Sequence, residues 1–188
     1  MNTYNFKKLY DVANKSLMNT SMYISNLTYL LMVAGIDPLK YMDEIPRDYL
    51  AHNSDLISID IPGNIKSIGK YAFRDCKNLE TIAISNGVTT IGYEAFKNCS
   101  SLTSVTIPNS VTSISDSAFH GCSSLTSITI PDGVTSIGNS TFEGCSRITS
   151  VTIPDSVTSI GESAFDGCKS LESINYLGTK KQLYSIIS

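Results

Sequence analysis

The chain is 188 residues long, 41% hydrophobic and 16% charged, with a formal net charge of −3. That apolar content supports a packed core and excludes a disordered or collagen-like chain. The slight negative charge gives no footing for nucleic acid or an anionic membrane surface, and with only two histidines, His52 and His120, the usual general acid–base residue is scarce.

From the N-terminus, residues 1–55 read as a helical cap. Phe6, Leu9, Tyr10, Ala13 and Leu17 fall at helical spacing. Ser21 can open a second helix whose apolar face is Leu27, Leu30, Leu31 and Ala34, ending near Gly35. Asp37 and Pro38 then offer a cap and first residue for a short third helix to about Glu44, which Pro46 breaks. The same segment carries Tyr4, Tyr10, Tyr23, Tyr29, Tyr41 and Tyr49, so a binding element is its other reading. Its best apolar run, Leu27–Ile36, begins late and lacks a small-residue cleavage site, and nothing reaches transmembrane length. The expectation is a cytoplasmic chain without membrane contact. A cell-surface or non-standard secretory location is the alternative.

Residues 56–176 repeat with a period of 23. Cys76, Cys99, Cys122, Cys145 and Cys168 keep it, each three residues after Phe73, Phe96, Phe119, Phe142 and Phe165. Ile61, Ile84, Ile107, Ile130 and Ile153 step along, as do Gly69, Gly92, Gly138 and Gly161, with Ser115 standing in once. A constant interval of this kind belongs to a stacked structural repeat, in which no unit buries its apolar face alone. The stretch L-x-x-I/V-x-I, as at Leu102–Ile107, ends in apolar–polar alternation and predicts a half-buried strand. In-register stacking about 4.8 Å apart makes a parallel sheet. Pro and a small polar residue turn the chain, a second apolar pair such as Val111 and Ile114 follows, and A-F-x-x-C reads as a single helical turn. Residues 177–188 close the array: Thr179 and Gln182 have capping-box spacing ahead of Leu183, Ile186 and Ile187.

The near-unbroken I-P-x-x-V-T-S-I-G-x-x-A-F-x-G-C-S-S-L-T-S-I, with I-N-Y-L-G-T-K-K-Q-L at 174–183, resembles the BspA-like (treponemal-type) class of leucine-rich repeats. In that class an aromatic commonly stands where this chain has Leu183. The resemblance implies a right-handed repeat solenoid with short parallel strands on a concave face and turns with short helical segments on the other. It also implies no cofactor, and it associates the chain with adhesion and protein binding. The missing export signal departs from the surface adhesins of the class.

The cysteine column is read as buried free thiols: stacked thiols form a line, whereas zinc needs four converging ligands. His120 shares a column with Arg74, Lys97, Glu143 and Asp166, the mark of a variable exposed turn, and no nucleophile–base–acid group recurs. The expectation is no enzyme, no metal and no cofactor. The outward strand positions give a polar platform from Ser58, Asp60, Thr81, Ser104, Thr106, Ser127, Thr129, Ser150, Thr152, Ser173 and Asn175. It suits a protein partner, since repeat arrays bind along such faces, though it lacks the Tyr, Trp and Arg that anchor hot spots. The reading is a non-enzymatic protein-interaction module, using this face or the N-terminal helices. A surface adhesin or host-interaction factor, and a phage or mobile-element accessory protein binding a host protein, are the alternatives.

Overall fold

The computed structural model describes residues 37–182. The strands in chain order are β1 (Glu44–Ile45), β2 (Ser58–Ile61), β3 (Ser67–Ile68), β4 (Thr81–Ile84), β5 (Thr90–Ile91) and β6 (Ser104–Thr106). They continue as β7 (Ser113–Ile114), β8 (Ser127–Thr129), β9 (Ser136–Ile137), β10 (Ser150–Ile153), β11 (Ser159–Ile160) and β12 (Ser173–Tyr176). Even-numbered strands stack on even and odd on odd, always parallel and always offset by 23 residues, as in Ser58↔Thr81 and Ser67↔Thr90. Each coil therefore contributes a longer strand to one face and a two-residue strand to a second. The result is a β-solenoid of about six turns, and the 23-residue ruler is its register.

The second strand column goes beyond the sequence reading. Val111 and Ile114 are there an apolar pair after the turn with no element assigned, and Ser113–Ile114 pairs with Thr90–Ile91. Two residues are too few for alternation to show in the sequence.

The A-F-x-x-C segment corrects the sequence reading, because it is a run of turns and not a helical turn. In the coil at 117–122, Ser117 has φ 55° and Gly121 φ 72°, both left-handed and incompatible with an α-helix. The backbone donors reach forward instead: Ser117, Phe119 and Gly121 N–H donate to Asn139, Thr141 and Glu143 carbonyls in the next coil. The column of Gly121 is filled by His52, Asp75, Asn98, Gly121, Gly144 and Gly167, all at positive φ. These are residue types that tolerate this conformation.

The core is a set of columns running the length of the array. Phe73, Phe96, Phe119, Phe142 and Phe165 stack face to face, with centroids 5.3–5.7 Å apart and planes within 11°. Tyr49 closes the stack edge-on against Phe73 at 6.3 Å. Beside it, each cysteine Sγ donates to a carbonyl 26 residues back, from Cys76 to Leu50 through Cys168 to Phe142, at 3.0–3.2 Å. Burial of these small thiols and rings in every coil supplies the apolar stabilisation that a lone 23-residue unit lacks.

Both sheets are interrupted at one seam. β6 does not pair with β8, nor β7 with β9. The seam follows Ser115, the one coil with a side chain in the Gly69/Gly92/Gly138/Gly161 column. A Cβ in this column faces the preceding coil, as on Gly92, where it would sit 2.7–2.9 Å from backbone atoms of Ile68, Gly69 and Lys70. Ser115 thus faces the intact β5–β7 pairing, and its side chain does not account for the gap on the far side. Across the seam, Asp116 Oδ1 accepts from Asn139 N–H at 2.9 Å, and the phenylalanine stack and forward turn bonds continue.

At the N-terminal end, the first two expected helices of the cap lie outside the described residues. The third is a 3₁₀ turn, Pro38–Tyr41, capped by Asp37, whose side chain accepts from Leu39 N–H at 3.0 Å. It does not run to Glu44, because Glu44–Ile45 is instead a strand paired with Ser67–Ile68. Ile45, Tyr49 and Leu50 are buried, so the solenoid core reaches back into this segment. At the other end, Thr179 and Gln182 form the expected capping box: Thr179 N–H donates to Gln182 Oε1 at 2.8 Å, and Gln182 N–H to Thr179 Oγ1 at 3.3 Å. Leu183, Ile186 and Ile187 lie outside the described residues. No helix among the described residues is long and apolar enough to cross a membrane.

Candidate interaction surface

Strand alternation sends Ile82, Val105, Ile128 and Val151 into the core and the residues on either side of each outward. Register then aligns the predicted positions into columns. Ser58, Thr81 and Ser104 form one file, continued beyond the seam by Ser127, Ser150 and Ser173. Asp60, Ala83 and Thr106 form the second, continued by Thr129, Thr152 and Asn175. All eleven predicted residues are exposed except half-buried Thr152.

A neighbouring hydroxyl column behaves differently. Thr103, Thr126 and Thr149 Oγ1 each donate to the carbonyl 23 residues back, at 3.3–3.4 Å, stitching coil to coil. The platform hydroxyls of Ser104, Thr106, Ser127, Thr129, Ser150 and Thr152 have no such side-chain partner among the described residues. Their donors and acceptors face outward, about 4.8 Å apart along each file.

The turn side holds a cluster of which the sequence shows only a local positive group, Lys66, Lys70, Arg74 and Lys77, diluted by Asp75 and Glu80. The six turn segments are 47–52, 70–75, 93–98, 116–121, 139–144 and 162–167. In the first three, the Tyr71 ring lies between Arg47 (5.0 Å to the centroid) and Arg74 (5.4 Å), Lys70 lies 5.8 Å over Tyr93, and the two tyrosines meet edge to face at 5.5 Å. Buried Glu94 is paired with Arg74 at 2.8 Å and Lys97 at 2.9 Å. Burial pushes the Glu94 carboxyl up, but Lys97, Tyr93 and Arg74 outweigh it and hold it below its ordinary value. Asp75 is likewise held low, with Asn98, His52 and Arg74 overcoming its desolvation. The Tyr93 phenol is pushed up by its hydrogen bond to Glu94 and by that negative charge. Periodicity shows through sameness, and these columns change identity from coil to coil. The available signal was the sequence Arg47, Lys70, Tyr93, Asp116, Asn139, Glu162 at a fixed interval.

The remaining candidates fall on these columns or inside the core. His52 Nδ1 pairs with Asp75 at 3.3 Å, and His120 Nδ1 lies 3.6 Å from Glu143. Each histidine sits beside a carboxylate of the following coil. The five thiols are free. Burial pushes Cys76 up to about 12 and Cys99, Cys122 and Cys145 well above their ordinary value, which makes them poor nucleophiles. No cluster of three or more metal-ligating side chains occurs among the described residues.

Comparison with known proteins gives matching architecture. The model of the BspA type leucine rich repeat region matches residues 43–172 in six copies. No curated protein matches. Among solved structures, a Treponema pallidum leucine-rich repeat protein is 26% identical, with a TM-score of 0.69 over 76% of this chain and 71% of the other. A Bacteroides ovatus leucine-rich repeat protein is 28% identical, with a TM-score of 0.57 over 71% of this chain and 41% of the other. The pneumococcal vaccine antigen PcpA, 24% identical with a TM-score of 0.64 over 74% of this chain and 35% of its own, shares the fold. This chain thus spans less than half the length of the latter two.

Proposed function

The chain belongs to the BspA-type leucine-rich repeat family, and from that premise we propose that it is a non-enzymatic protein-interaction module holding a protein partner on its first sheet. Members of this repeat family typically mediate protein–protein interaction or adhesion. The observation that carries the reading is the pair of exposed, in-register files through Ser104/Thr106 and Ser127/Thr129, whose hydroxyls have no side-chain hydrogen-bond partner among the described residues. A strand or loop laid along them would find hydrogen-bonding groups at the spacing of a backbone, on a surface ordered before binding. A cytoplasmic site of action goes with this reading, supported by five free thiols and no disulfide among the described residues. Cell fractionation tests that part: recovery only at the surface or in the medium removes it.

Affinity capture from lysate tests the main reading, comparing the wild type with the triple variant Thr106→Arg, Thr129→Arg, Thr152→Arg. These outward positions accept long side chains without touching the core. The expected outcome is a specific captured protein that the triple variant loses. Equal capture by both forms moves the contact off this sheet, and no specific capture by either refutes the module.

A further inference from the structure

The turn side carries a charge gradient along the solenoid axis. Its two outer columns flank a common line, since Arg47 of one and Arg74 of the other both lie against Tyr71. Over the first three turn segments these columns contribute Arg47, Lys70, Arg74 and Lys97 and no acid. Over the last three they contribute Asp116, Glu143, Glu162 and Asp166, with His120 beside Glu143 as the one basic residue. The inner columns temper the basic end with Asp48, Asp75 and Glu94, which are largely engaged internally: Asp48 with Arg47 at 3.2 Å, Asp75 with His52 and Arg74, and Glu94 with Arg74 and Lys97. The excess is unequal: three acids offset all but one of the four cations of the basic half, whereas the acidic half keeps four carboxylates against one histidine. Lys70 is exposed with only the Tyr93 ring beneath it, and Arg47 is 67% exposed. Glu162 and Asp166 are exposed, and neither has an ion-pair partner among the described residues. Four coil steps at about 4.8 Å put Lys70 roughly 19 Å from Glu162, and five put Arg47 roughly 24 Å away, beyond the ~8 Å physiological Debye length, so they do not neutralise one another within a chain.

A linear plus-to-minus ridge is its own complement when a second copy is turned end for end. A two-fold axis between the third and fourth segments sets the first against the sixth, the second against the fifth and the third against the fourth. Each pairing brings a cation of one copy to an acid of the other, Arg47 to Glu162 and Asp166, Lys70 and Arg74 to Glu143, and Lys97 to Asp116 beside His120, and the two-fold repeats each contact. Copies side by side in parallel would instead set like on like. Tyr71 and Tyr93, half-buried and held by their neighbours, give the basic end the aromatic and arginine content that recurs in interface anchors. We propose that this ridge is a self-association surface on which a second copy of the chain docks antiparallel through its turn segments. The platform sheet stays free, so this proposal stands apart from the partner-binding reading.

Sedimentation velocity of the full chain over a concentration series tests it at ~0.02 M and ~0.5 M salt, where the Debye length falls from about 20 Å to about 4 Å. A concentration-dependent dimer is expected at low salt and a monomer at high salt. The double variants Arg47→Glu/Lys70→Glu, acidic at both ends, and Glu162→Lys/Asp166→Lys, basic at both ends, should each self-associate about tenfold more weakly or worse. Their equimolar mixture should recover a heterodimer. Unchanged circular dichroism confirms that these exposed substitutions leave the fold intact. Thr106→Arg should leave self-association untouched. A wild-type chain that is monomeric at low salt, an association insensitive to either reversal, a mixture that fails to associate, or loss through Thr106→Arg would each overturn the proposal.

Discussion

Phe119 sits at the middle of the aromatic stack and Phe165 at its end, and the difference can be measured. Phe119 is fully buried, with its ring 5.3 Å from Phe96 and 5.7 Å from Phe142. Phe165 is only partly buried and has one stacking neighbour, Phe142 at 5.6 Å. Leucine at either position keeps an apolar side chain and removes only the ring contacts. Each aromatic pair contributes about 0.5–1.5 kcal/mol beyond its buried area. Phe119→Leu therefore loses two pairs, about 1–3 kcal/mol, and Phe165→Leu one pair, about half that. With a urea m-value of ~2 kcal/mol/M, the midpoint should fall by roughly 0.5–1.5 M for Phe119→Leu and by roughly half as much for Phe165→Leu. Far-UV circular dichroism is the suitable readout, because the chain has no tryptophan. Equal shifts for the two variants would refute the idea that the stack stabilises pair by pair.

Two further outcomes follow from the core columns. Gly92→Ala places a Cβ 2.7 Å from Ile68 O with only backbone to yield, and should cost about 2–4 kcal/mol through overpacking and a strained or lost rung; a urea midpoint within ~0.2 M of wild type contradicts it. The buried thiols make the fold alkali-sensitive: Cys76 keeps its proton to about 12 when folded and ionises near 9.0 when unfolded, and Cys99, Cys122 and Cys145 shift in the same direction. The unfolded chain then binds fewer protons, so stability is full below pH 9 and falls above it, by about 1.4 kcal/mol per pH unit for each thiol. Urea melts at pH 8 and pH 10 check this, and a midpoint unchanged between them rules it out.

The sequence exposes whatever repeats with the same residue. The cysteine, phenylalanine and isoleucine columns give the period, the strands from Ser58 to Tyr176 and the two outward files of the platform. Three things escape it. Where a donor finds its acceptor is a tertiary matter: Ala118, Phe119 and Cys122 have helix-compatible spacing, but the N–H of Phe119 goes to Thr141 in the next coil. Ser113–Ile114 is a strand only because Thr90–Ile91 lies beside it, and Glu44–Ile45 because Ser67–Ile68 does. The turn-side ridge escapes because its meaning lies in differences between equivalent positions. His120 beside Glu143 looks like tolerated variation until Arg74 and Asp166 are seen along the same line.

The seam after Ser115 bears on how the molecule comes apart. In a stack of coils, cooperativity is a chain of nearest-neighbour couplings, and it is only as long as its weakest link. Here one link lacks the strand pairing of both sheets and is carried by turn bonds, the two bonds from Thr126 to the Thr103 carbonyl, a carboxylate and ring stacking. The array is therefore two blocks of about three coils in series. The cheapest partially unfolded state is one in which a block melts while the other keeps its own ladders, and a crack begun at either end is arrested halfway.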